Sequence, residues 1–527
     1  MSRHSTIQLK DKEGCITDNF GVVYSANGTK LLEYLGDELT EYAIKEGTQE
    51  IYRDAFCDCK HLEKIHLPKS LTIIGDRAFK DCKSLKTITI PDTVTSIGCY
   101  AFDECTALES VVISNGITAI EQYTFRNCSN LKAIAIPESV TKIDVGAFVG
   151  CTELLTFIIP DAVKEIGRGA LLCDNLENIT VGSGNNHFAS VDGILFNREM
   201  TEIIQYPPKR KGEKYIIPDS VTIICDYAFD HCQNLSAVII PNKVTTIGNY
   251  AFEECKRLKH IQIPESVTAI GVRSFARCKK LTSITIPESV KSIGDGAFCF
   301  CENLQSVNIP HSITKIGSGT FNDCYSLVTV TIPNNITEIE RAFEGCVNLT
   351  AIEVEEGNTH YTSVDGVLFS KDMTELVRFP GGKTGAYIIP NTVEHIGWAA
   401  FTCSRLSSVV IPDSVKGISP QAFYYNPFIE SIIIPDSVEY IGLDAFRECV
   451  GLKSLVIGKS VKGIGYCAFM YCDKLDSVFI PSSVKEIQDD VFRGCTNLTI
   501  YCEAESQPEG WEWGWNSDRP VEWGVKE

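Results

Sequence analysis

One unit of 23 residues recurs along most of this chain and constrains its fold more than any other feature of the sequence. The segment KSLKTITIPDTVTSIGCYAFDEC, which begins at Lys83, returns in closely similar form at Lys256 and at Lys279. A fixed period of about 20 to 50 residues is typical of a stacked solenoid, in which each unit packs against its neighbours. We therefore predict a single elongated repeat domain for the 527 residues rather than several separate globular domains.

Within each unit, a short run of alternating apolar residues ends at a proline. The segment Ile88-Thr89-Ile90 has the in-out-in alternation of a strand, and Pro91 ends it because proline cannot donate to a β ladder. Further along, Ala101, Phe102 and Cys105 have the spacing of one helical turn. Stacking pairs equivalent strands in parallel, about 4.8 Å apart, and places equivalent phenylalanines in a column. We expect a curved repeat solenoid with a parallel β-sheet on one side and short helical turns on the opposite side.

Two longer stretches interrupt the short period: HFASVDGILFNREMTEIIQYP from His187 and HYTSVDGVLFSKDMTELVRFP from His360. Each contains an Asp-Gly dipeptide between apolar runs, which is a hairpin-turn signal. A diverged copy, DNFGVVYSANGTKLLEY, begins at Asp18, so the chain is predicted to contain three large repeats, each a hairpin module followed by short units. The predicted divisions are an N-terminal tail or cap (1–17), the three large repeats (18–187, 188–360 and 361–500) and a tryptophan-rich C-terminal cap (501–527).

The consensus of the short unit, L-x-x-I-x-I-P-x-S-V-x-x-I-G-x-x-A-F-x-x-C, resembles that of the BspA-type leucine-rich repeat family. The likeness covers nearly the whole chain, and members of this family share a scaffold while differing in what they bind. The resemblance implies a leucine-rich repeat fold and a non-enzymatic recognition protein, similar to surface adhesins of bacteria and protists. Its implied partners are host or bacterial surface or matrix proteins. An intracellular scaffold or assembly protein is the alternative.

Four of the five tryptophans, Trp511, Trp513, Trp515 and Trp523, lie in the C-terminal segment EGWEWGWNSDRPVEWG. This segment resembles the closing segment of the family. We predict that these rings cover the last open unit of the solenoid, because bulky amphipathic side chains suit a terminal cap. A carbohydrate-stacking site is the alternative interpretation.

Charge and hydropathy limit the classes of partner. With 48 Lys and Arg against 68 Asp and Glu, the formal net charge is -20, which disfavours nucleic acid and anionic lipid surfaces. No apolar stretch approaches the length of a membrane span and no signal peptide precedes the repeats, so we expect no membrane insertion. The chain as written is expected in the cytoplasm, whereas the family resemblance implies the cell surface or secretion.

The chain has 23 cysteines, and most of them recur at one position of the short unit. Such a column indicates small buried packing residues rather than a disulfide framework. Cys57 with Cys59, and Cys299 with Cys301, have the spacing of metal-ligand pairs, but no second pair accompanies either of them. We therefore expect free thiols, no metal and no cofactor. The cysteines at the repeat position are Cys59, Cys82, Cys105, Cys128, Cys151, Cys232, Cys255, Cys278, Cys301, Cys324, Cys346, Cys449, Cys472 and Cys495.

Motifs for catalysis are missing from the sequence, which contains neither H-E-x-x-H nor G-x-S-x-G. We therefore predict that the protein is not an enzyme and has no catalytic residues. Acidic residues often follow the strand proline, and stacked carboxylates could bind Ca²⁺ weakly, although a solvated turn position explains the same pattern. These acidic residues are Asp92, Glu138, Asp161, Asp219, Glu265, Glu288, Asp413 and Asp436.

The outward residue of each predicted strand distinguishes one part of the chain from another. In the third large repeat this residue is apolar in five consecutive units, which is unusual for the surface of a monomer. We predict that these residues and a neighbouring serine column bind a partner or a second copy; the alternative is that a tight curve or a hairpin module covers them. The predicted apolar stripe is Ile388, Val410, Ile433, Val456 and Phe479, and the serine column is Ser408, Ser431, Ser454 and Ser477. The corresponding polar run earlier in the chain is Gln262, Thr285, Asn308, Thr331 and Glu353, and a shorter apolar version is Val112, Ala135 and Ile158.

Overall fold

The computed structural model describes residues 14–526, and within this range the chain consists of short strands joined by turns. It divides into two compact units, Met1–Arg257 and Leu258–Glu527, which we call unit 1 and unit 2. Each unit is a parallel β-solenoid, in which successive coils of the chain stack in register. The repeat architecture predicted from the 23-residue period is therefore confirmed.

The strands of unit 1 follow one another along the chain with few residues between them. They are β1 (Ile16–Thr17), β2 (Val22–Tyr24), β3 (Lys30–Tyr34), β4 (Glu41–Ala43), β5 (Glu50–Ile51), β6 (Lys64–His66), β7 (Ile73–Ile74), β8 (Thr87–Thr89), β9 (Ser96–Ile97), β10 (Ser110–Val112), β11 (Ala119–Ile120), β12 (Ala133–Ile134), β13 (Lys142–Ile143), β14 (Thr156–Ile159), β15 (Glu165–Ile166), β16 (Asn178–Val181), β17 (Phe188–Val191), β18 (Ile194–Asn197), β19 (Glu202–Gln205), β20 (Lys214–Ile216), β21 (Ile223–Ile224), β22 (Ala237–Ile239) and β23 (Thr246–Ile247).

Unit 2 continues the same pattern with strands of two to six residues. They are β24 (His260–Gln262), β25 (Ala269–Ile270), β26 (Ser283–Thr285), β27 (Ser292–Ile293), β28 (Ser306–Asn308), β29 (Lys315–Ile316), β30 (Thr329–Ile332), β31 (Glu338–Ile339), β32 (Ala351–Val354), β33 (Tyr361–Val364), β34 (Val367–Ser370), β35 (Glu375–Arg378), β36 (Thr384–Ile388), β37 (His395–Ile396), β38 (Arg405–Val410), β39 (Gly417–Ile418), β40 (Ser431–Ile433), β41 (Tyr440–Ile441), β42 (Ser454–Val456), β43 (Gly463–Ile464), β44 (Ser477–Ile480), β45 (Glu486–Ile487), β46 (Thr499–Cys502) and β47 (Val521–Trp523).

Each short coil contributes two strands, which join two different ladders. The first strand precedes the proline, and β8 and β10 pair in parallel with Ile88 opposite Val111. The second strand follows the proline, and β7 and β9 pair in parallel with Ile74 opposite Ile97. Sequence reasoning predicted the first ladder and missed the second, because a strand of two residues is too short to show an alternating pattern.

The predicted helical turns are absent from the described residues, and this expectation was wrong. The segment after the second strand instead forms successive β-turns in which two non-glycine residues adopt left-handed backbone angles, such as Arg77 at φ 54° and Asp81 at φ 61°. Left-handed residues interrupt a right-handed helix. The N–H groups of Arg77, Phe79 and Asp81 donate to carbonyl oxygens of the next coil at 2.9, 2.8 and 2.7 Å. The stack therefore satisfies donors that a helix would have bonded within its own turn.

The core of each unit is built around a column of phenylalanines, as the sequence predicted. In unit 1 the rings of Phe56, Phe79 and Phe102 stack with centroids 5.4 Å apart and nearly parallel planes. In unit 2 the rings of Phe423 and Phe446 stack at 4.9 Å. The inward-facing leucines, isoleucines and valines of both ladders pack around these columns, and nearly all of them are buried. Each coil thus buries an apolar edge only because its neighbours cover it.

The three hairpin modules are present, and each is a three-stranded antiparallel unit. Strands β17 and β18 pair around the turn of Asp192 and Gly193, whose φ angles of 49° and 80° fit the turn that this dipeptide favours. Strand β19 then pairs antiparallel with β18 and parallel with β21, so the module leads directly into the coil ladder. Strands β33, β34, β35 and β37 repeat this arrangement in unit 2. The exact boundaries of the three large repeats remain a prediction.

Candidate interaction surface

The apolar stripe lies on five successive first strands of unit 2. Hydrogen-bonded registers place Ile388 beside Val410 and Ile433 beside Val456. The exposed fractions are 69% for Ile388, 54% for Val410, 65% for Ile433 and 44% for Val456, whereas Phe479 is half-buried. At about 4.8 Å per coil the stripe is roughly 20 Å long. Neither a tight curve nor a hairpin module covers its first four members in this structure.

The serine column runs beside the stripe on the same strands. Ser431 pairs with Ser454 in the register that pairs Ile433 with Val456. Ser431, Ser454 and Ser477 are exposed and Ser408 is half-buried. Because these side chains are small, they leave one flank of the stripe open to a flat partner.

Sequence reasoning missed one extension of the stripe. Tyr501, in β46, pairs with Phe479 and continues the column by one coil, and it is half-buried. Glu522 of β47 pairs with Tyr501 and ends the apolar column with an exposed acid. The signal was present in the segment LTIYCEAESQPEG, where a Tyr follows an isoleucine at the strand position, but the repeat lacks its proline there.

The polar run occupies the same strand position in the first half of unit 2. Gln262, Thr285, Asn308, Thr331 and Glu353 are all exposed. Asn308 shows what a polar residue contributes here: its amide accepts the N–H of Ile286 at 2.8 Å and donates to the carbonyl of Ile286 at 2.9 Å. Polar side chains at this position can therefore form hydrogen bonds within the sheet or with solvent, which the aliphatic side chains of the stripe cannot do.

Unit 1 has a shorter outward apolar set. Val112, Ala135 and Ile158 are exposed, as the sequence pattern predicted for the outward position. Ile216 and Ile239 occupy the same position in the two coils that follow the second hairpin module, and they are 67% and 58% exposed. Sequence reasoning overlooked this second pair, although each of its residues lies two positions before a strand proline.

The cysteine column has a role that its apolar character does not explain. The thiols of Cys82, Cys105 and Cys128 donate to the carbonyl oxygen of the preceding coil's phenylalanine at 3.2, 3.1 and 3.2 Å. Burial raises the pKa of Cys449 to about 12, so the thiol keeps the proton that it donates. The 23 cysteines are free thiols in the structure.

Polar residues replace cysteine in two coils, and one of them keeps the same hydrogen bond. Asn426 is fully buried, and its amide donates to the carbonyl oxygens of Phe401 and Phe423 at 2.9 and 2.8 Å. Ser404 is also buried and donates to the amide oxygen of Asn426. The position therefore requires a small hydrogen-bond donor, not only a small apolar side chain. Cys173, which is shifted by one residue in the sequence, joins the column by donating to Phe148 at 3.2 Å.

The acidic residues that follow the strand proline bond to the next coil. Asp92, Asp161 and Asp436 accept backbone N–H groups of the next coil at 3.1, 2.9 and 2.7 Å. Residues 14–526 contain no group of three or more His, Cys, Asp or Glu side chains arranged to hold a metal ion. The geometry favours the turn interpretation of this column over calcium binding, because the carboxylates already serve as acceptors for neighbouring turns.

The tryptophans of the C-terminal segment have different environments. Trp515 is buried and lies edge-on against Phe492, the last ring of the phenylalanine column, at 6.2 Å. Trp511 is also buried and donates its indole N–H to the carbonyl of Val484 at 3.3 Å. Trp513, in contrast, is 94% exposed and covers nothing. The expectation that all four rings cover the last coil was therefore wrong for Trp513.

The chain is similar to known repeat proteins along most of its length. Residues 33–154, 97–207, 209–327, 270–385 and 378–499 match the model of the BspA type leucine rich repeat region. The chain belongs to the BspA-type leucine-rich repeat family. No curated protein matches the chain. Within the described residues, no helix is long and apolar enough to cross a membrane.

Several solved structures of repeat proteins resemble this member of the family. A leucine-rich cell surface protein from Faecalibacterium prausnitzii shares 30% identity, with 63% of this chain and 95% of that chain covered and a TM-score of 0.51. The pneumococcal vaccine antigen PcpA shares 19% identity, with 76% and 98% covered and a TM-score of 0.48. A leucine-rich repeat protein from Eubacterium ventriosum shares 19% identity, with 95% and 96% covered and a TM-score of 0.41.

Proposed function

We propose that this leucine-rich repeat protein is a non-enzymatic recognition protein whose principal protein-binding or self-association surface is the apolar stripe of unit 2. The observation that carries the proposal is the exposure of Ile388, Val410, Ile433 and Val456 on consecutive coils, at 44% to 69%. Contiguous apolar surface of this kind typically marks an interaction site on a soluble protein.

The surroundings of the stripe have the layout of a protein interface. Apolar side chains form the centre, and the serine column lies along one flank. Beyond the serines, exposed Lys453 and Glu430 form an ion pair at 2.9 Å. Protein interfaces commonly combine an apolar centre that is poor in charge with a polar, solvated rim. Self-association would use the same surface if two copies placed their stripes face to face.

The chemistry of the stripe supports binding rather than catalysis. The aliphatic side chains supply no general acid, base or nucleophile, and in the serine column Ser477 donates to the exposed carboxylate of Asp476 at 3.0 Å. Its partner is proposed to be a protein with a flat apolar patch, at a host or bacterial surface. The similarity to the cell surface protein of Faecalibacterium prausnitzii supports the surface location in this proposal.

An intracellular scaffold or assembly protein is the second candidate, and the free thiols favour it. None of the 23 cysteines forms a disulfide in the structure, which suits a reducing compartment, where thiols persist. Labelling intact source cells with a membrane-impermeant reagent distinguishes the two candidates. Labelled protein supports surface recognition, whereas protein that is labelled only after lysis supports the scaffold.

A pair of multiple variants tests the role of the stripe. We expect the triple variant Val410→Thr, Ile433→Thr and Val456→Thr to fold normally, because threonine is also β-branched and suits an exposed strand position. In pull-down experiments with extracts of the source cells or of the cells around them, the variant should not capture the proteins that the wild type captures. If the wild type self-associates in sedimentation analysis, the variant should not.

The matched control changes the same strand position in the polar run. The variant Gln262→Thr, Thr285→Ser and Thr331→Ser should capture the same proteins as the wild type. If the folded stripe variant retains these proteins and the oligomeric state of the wild type, the proposal is wrong.

A further inference from the structure

Each of the two later hairpin modules leaves a cleft where it joins the preceding coil. The second-strand ladder breaks at these points, because β15 is not paired with β19 in unit 1 and β31 is not paired with β35 in unit 2. The cleft in unit 1, which we call the first seam cleft, is lined by residues that include Arg168, Gln205 and Asp226 and has a volume of about 370 Å³. The cleft in unit 2, which we call the second seam cleft, is lined by residues that include Arg341, Arg378 and Trp398 and has a volume of about 500 Å³. Because the large repeats are equivalent in sequence, the two clefts are built from equivalent positions and can be compared residue by residue.

An ion pair lies at the first seam cleft. Arg168 and Asp226 face each other across it, with Nε and Oδ2 at 3.3 Å. Its wall carries a neutral residue, Gln205, which is buried and donates to the carbonyl of Tyr206 at 3.4 Å. Arginine is thus paired with a carboxylate and the buried polar side chain carries no charge, so this cleft has no unbalanced cation.

The second seam cleft differs at both of these places. Arg378 stands where Gln205 does, and Trp398 stands where Asp226 does. Arg341 follows β31 by two residues, as Arg168 follows β15, although its segment is one residue shorter, and it lies over the indole ring of Trp398 at 5.0 Å. Both replacements make the charge at the cleft more positive, because one adds a cation and the other replaces an acid with a flat aromatic ring.

Arg378 is a buried cation without a carboxylate partner. It is 6% exposed, and among residues 14–526 its guanidinium donates only to backbone carbonyl oxygens: those of Ala399, Phe343 at 3.0 Å and Thr402 at 3.2 Å. Its Nε has no hydrogen-bond partner among the described residues. Desolvation lowers the pKa of Arg378, since the charge lies away from water. The charge of Glu344 acts on Arg378 in the opposite sense, but Glu344 forms no ion pair with it. Burying a charge without a directly bonded counter-ion is unfavourable, so this arrangement favours binding of an anion.

The scaffold does not require an arginine at this position. The three hairpin modules place Glu33, Gln205 and Arg378 at the same site on their third strands. An acid, a neutral amide and a cation all fit the same backbone. The charge of Arg378 is therefore specific to the second seam cleft and not a consequence of the fold.

The acids around the second seam cleft limit the charge of an acceptable anion. The carboxylate of Glu340 is held by Lys315 at 2.6 Å, and that of Glu344 is held by Arg341 at 2.6 Å. Glu375 is exposed at the cleft. These acids disfavour a multiply charged anion such as phosphate, whereas one carboxylate balances the single unpaired guanidinium.

We propose that the second seam cleft binds a small organic monocarboxylate with a flat apolar body. The carboxylate is held by Arg378, and the apolar body lies against Trp398 and Val377. The Nε–H of Arg378 is the donor left for the carboxylate, because both terminal nitrogens of the guanidinium already donate to backbone carbonyl oxygens. This site is separate from the apolar stripe and does not depend on the protein-binding role proposed for the stripe.

Isothermal titration of the full-length chain with benzoate tests the proposal. We expect saturable binding of benzoate and none of benzamide, which has the same shape without the charge. Inorganic phosphate should not bind. We expect Arg378→Gln, which installs the residue found at the equivalent position of unit 1, to weaken benzoate binding at least about tenfold, since a charge-assisted hydrogen bond is lost.

Two further variants provide a second probe of the site and a control. Trp398→Asp replaces an exposed residue with its unit 1 counterpart and should also weaken binding, even if Arg378→Gln fails to fold. Gln205→Asn in the first seam cleft should leave benzoate binding unchanged. The proposal is overturned if benzoate shows no saturable binding up to about 10 mM, if benzamide binds equally well, or if folded Arg378→Gln or Trp398→Asp binds benzoate as the wild type does.

Discussion

The two halves of unit 2 are built from the same repeat and differ in what they present to solvent. Both bury a phenylalanine column, with Phe275 and Phe298 stacked at 5.4 Å in the first half and Phe423 and Phe446 at 4.9 Å in the second. The outward strand position is polar in the first half and apolar in the second. The buried positions therefore determine the fold, and the free outward positions distinguish one surface from another.

The buried residues of both halves are explained by the stability of the fold, whereas the exposed apolar residues of the second half are not. An exposed isoleucine such as Ile433 gains little from burial within the chain, and the polar run shows that the scaffold tolerates threonine or glutamine at the same position. We therefore propose that a partner or a second copy covers the apolar stripe. If this account is right, the two halves of unit 2 have cores of similar stability and surfaces that differ in binding.

The largest effect is expected in the shared core. We expect Phe275→Ala and Phe446→Ala to destabilise unit 2 by similar amounts, about 3 to 5 kcal/mol each, because both leave a cavity in a stacked column. Chemical denaturation of each variant measures the change. A loss in one half that is several times the loss in the other would show that the two cores are not equivalent.

A smaller effect is expected at the donor position of the cysteine column. Cys324→Ala in the first half removes one thiol hydrogen bond and should cost about 1 kcal/mol. Asn426→Ala in the second half leaves several buried groups without a partner and should cost about 2 to 3 kcal/mol. Denaturant midpoints of the two variants test this order. If Cys324→Ala is the more destabilising of the two, the donor role assigned to this position is wrong.

At the surface of the second half, substitutions should have little effect on stability. We expect the triple threonine variant of Val410, Ile433 and Val456 to lose less than about 1 kcal/mol, because these side chains are already largely exposed. The same denaturation experiment measures this loss. A cost comparable with that of Phe446→Ala would show that the stripe belongs to the core and would remove the basis for a binding surface.

The smallest effect is expected from charge in the first half. His311 lies between Glu288 and Glu355, with ring nitrogen to carboxylate distances of 3.3 and 2.9 Å. These hydrogen bonds raise the pKa of His311 above its ordinary 6.5. A raised histidine pKa stabilises the fold fully below the unfolded value, and this stabilisation is lost as the pH rises through the folded value.

Thermal unfolding of wild type and His311→Gln measures this contribution. The difference between the two midpoints should be larger near pH 6 than near pH 8, as estimated from the ordinary range of histidine pKa values. The second half has no counterpart to this cluster in the apolar stripe, and the stripe variant should show no such dependence. An equal difference at both pH values would mean that His311 contributes no charge.

The sequence predicted those features that recur with the period and failed where a feature depends on stacking. The first-strand ladder, the Phe102 column and the turn at Asp192 each have a local signal. The segment around Arg77 was misassigned as helical, since its spacing matches a helix while its N–H groups bond to the next coil. Local spacing cannot reveal a bond between residues that are one coil apart.

The candidate site was predictable from the sequence only where it follows the repeat pattern. The exposure of Val410 and Ile433 follows from strand alternation, which the sequence shows directly. The extension to Tyr501 was missed because the last coil departs from the consensus. The clefts at the seams were missed because they exist only where the second-strand ladder breaks, and nothing in the sequence marks the positions of Arg378 and Trp398 as neighbours.

Site-specific crosslinking in the natural cellular setting tests the central claim most directly. A photoreactive amino acid replaces Ile433 in the stripe in one variant and Thr285 in the polar run in another. We expect crosslinks to a partner protein or to a second copy from position 433 and few or none from position 285. Equal crosslinking from both positions, or crosslinking from position 285 alone, would contradict the claim that the apolar stripe is the recognition surface.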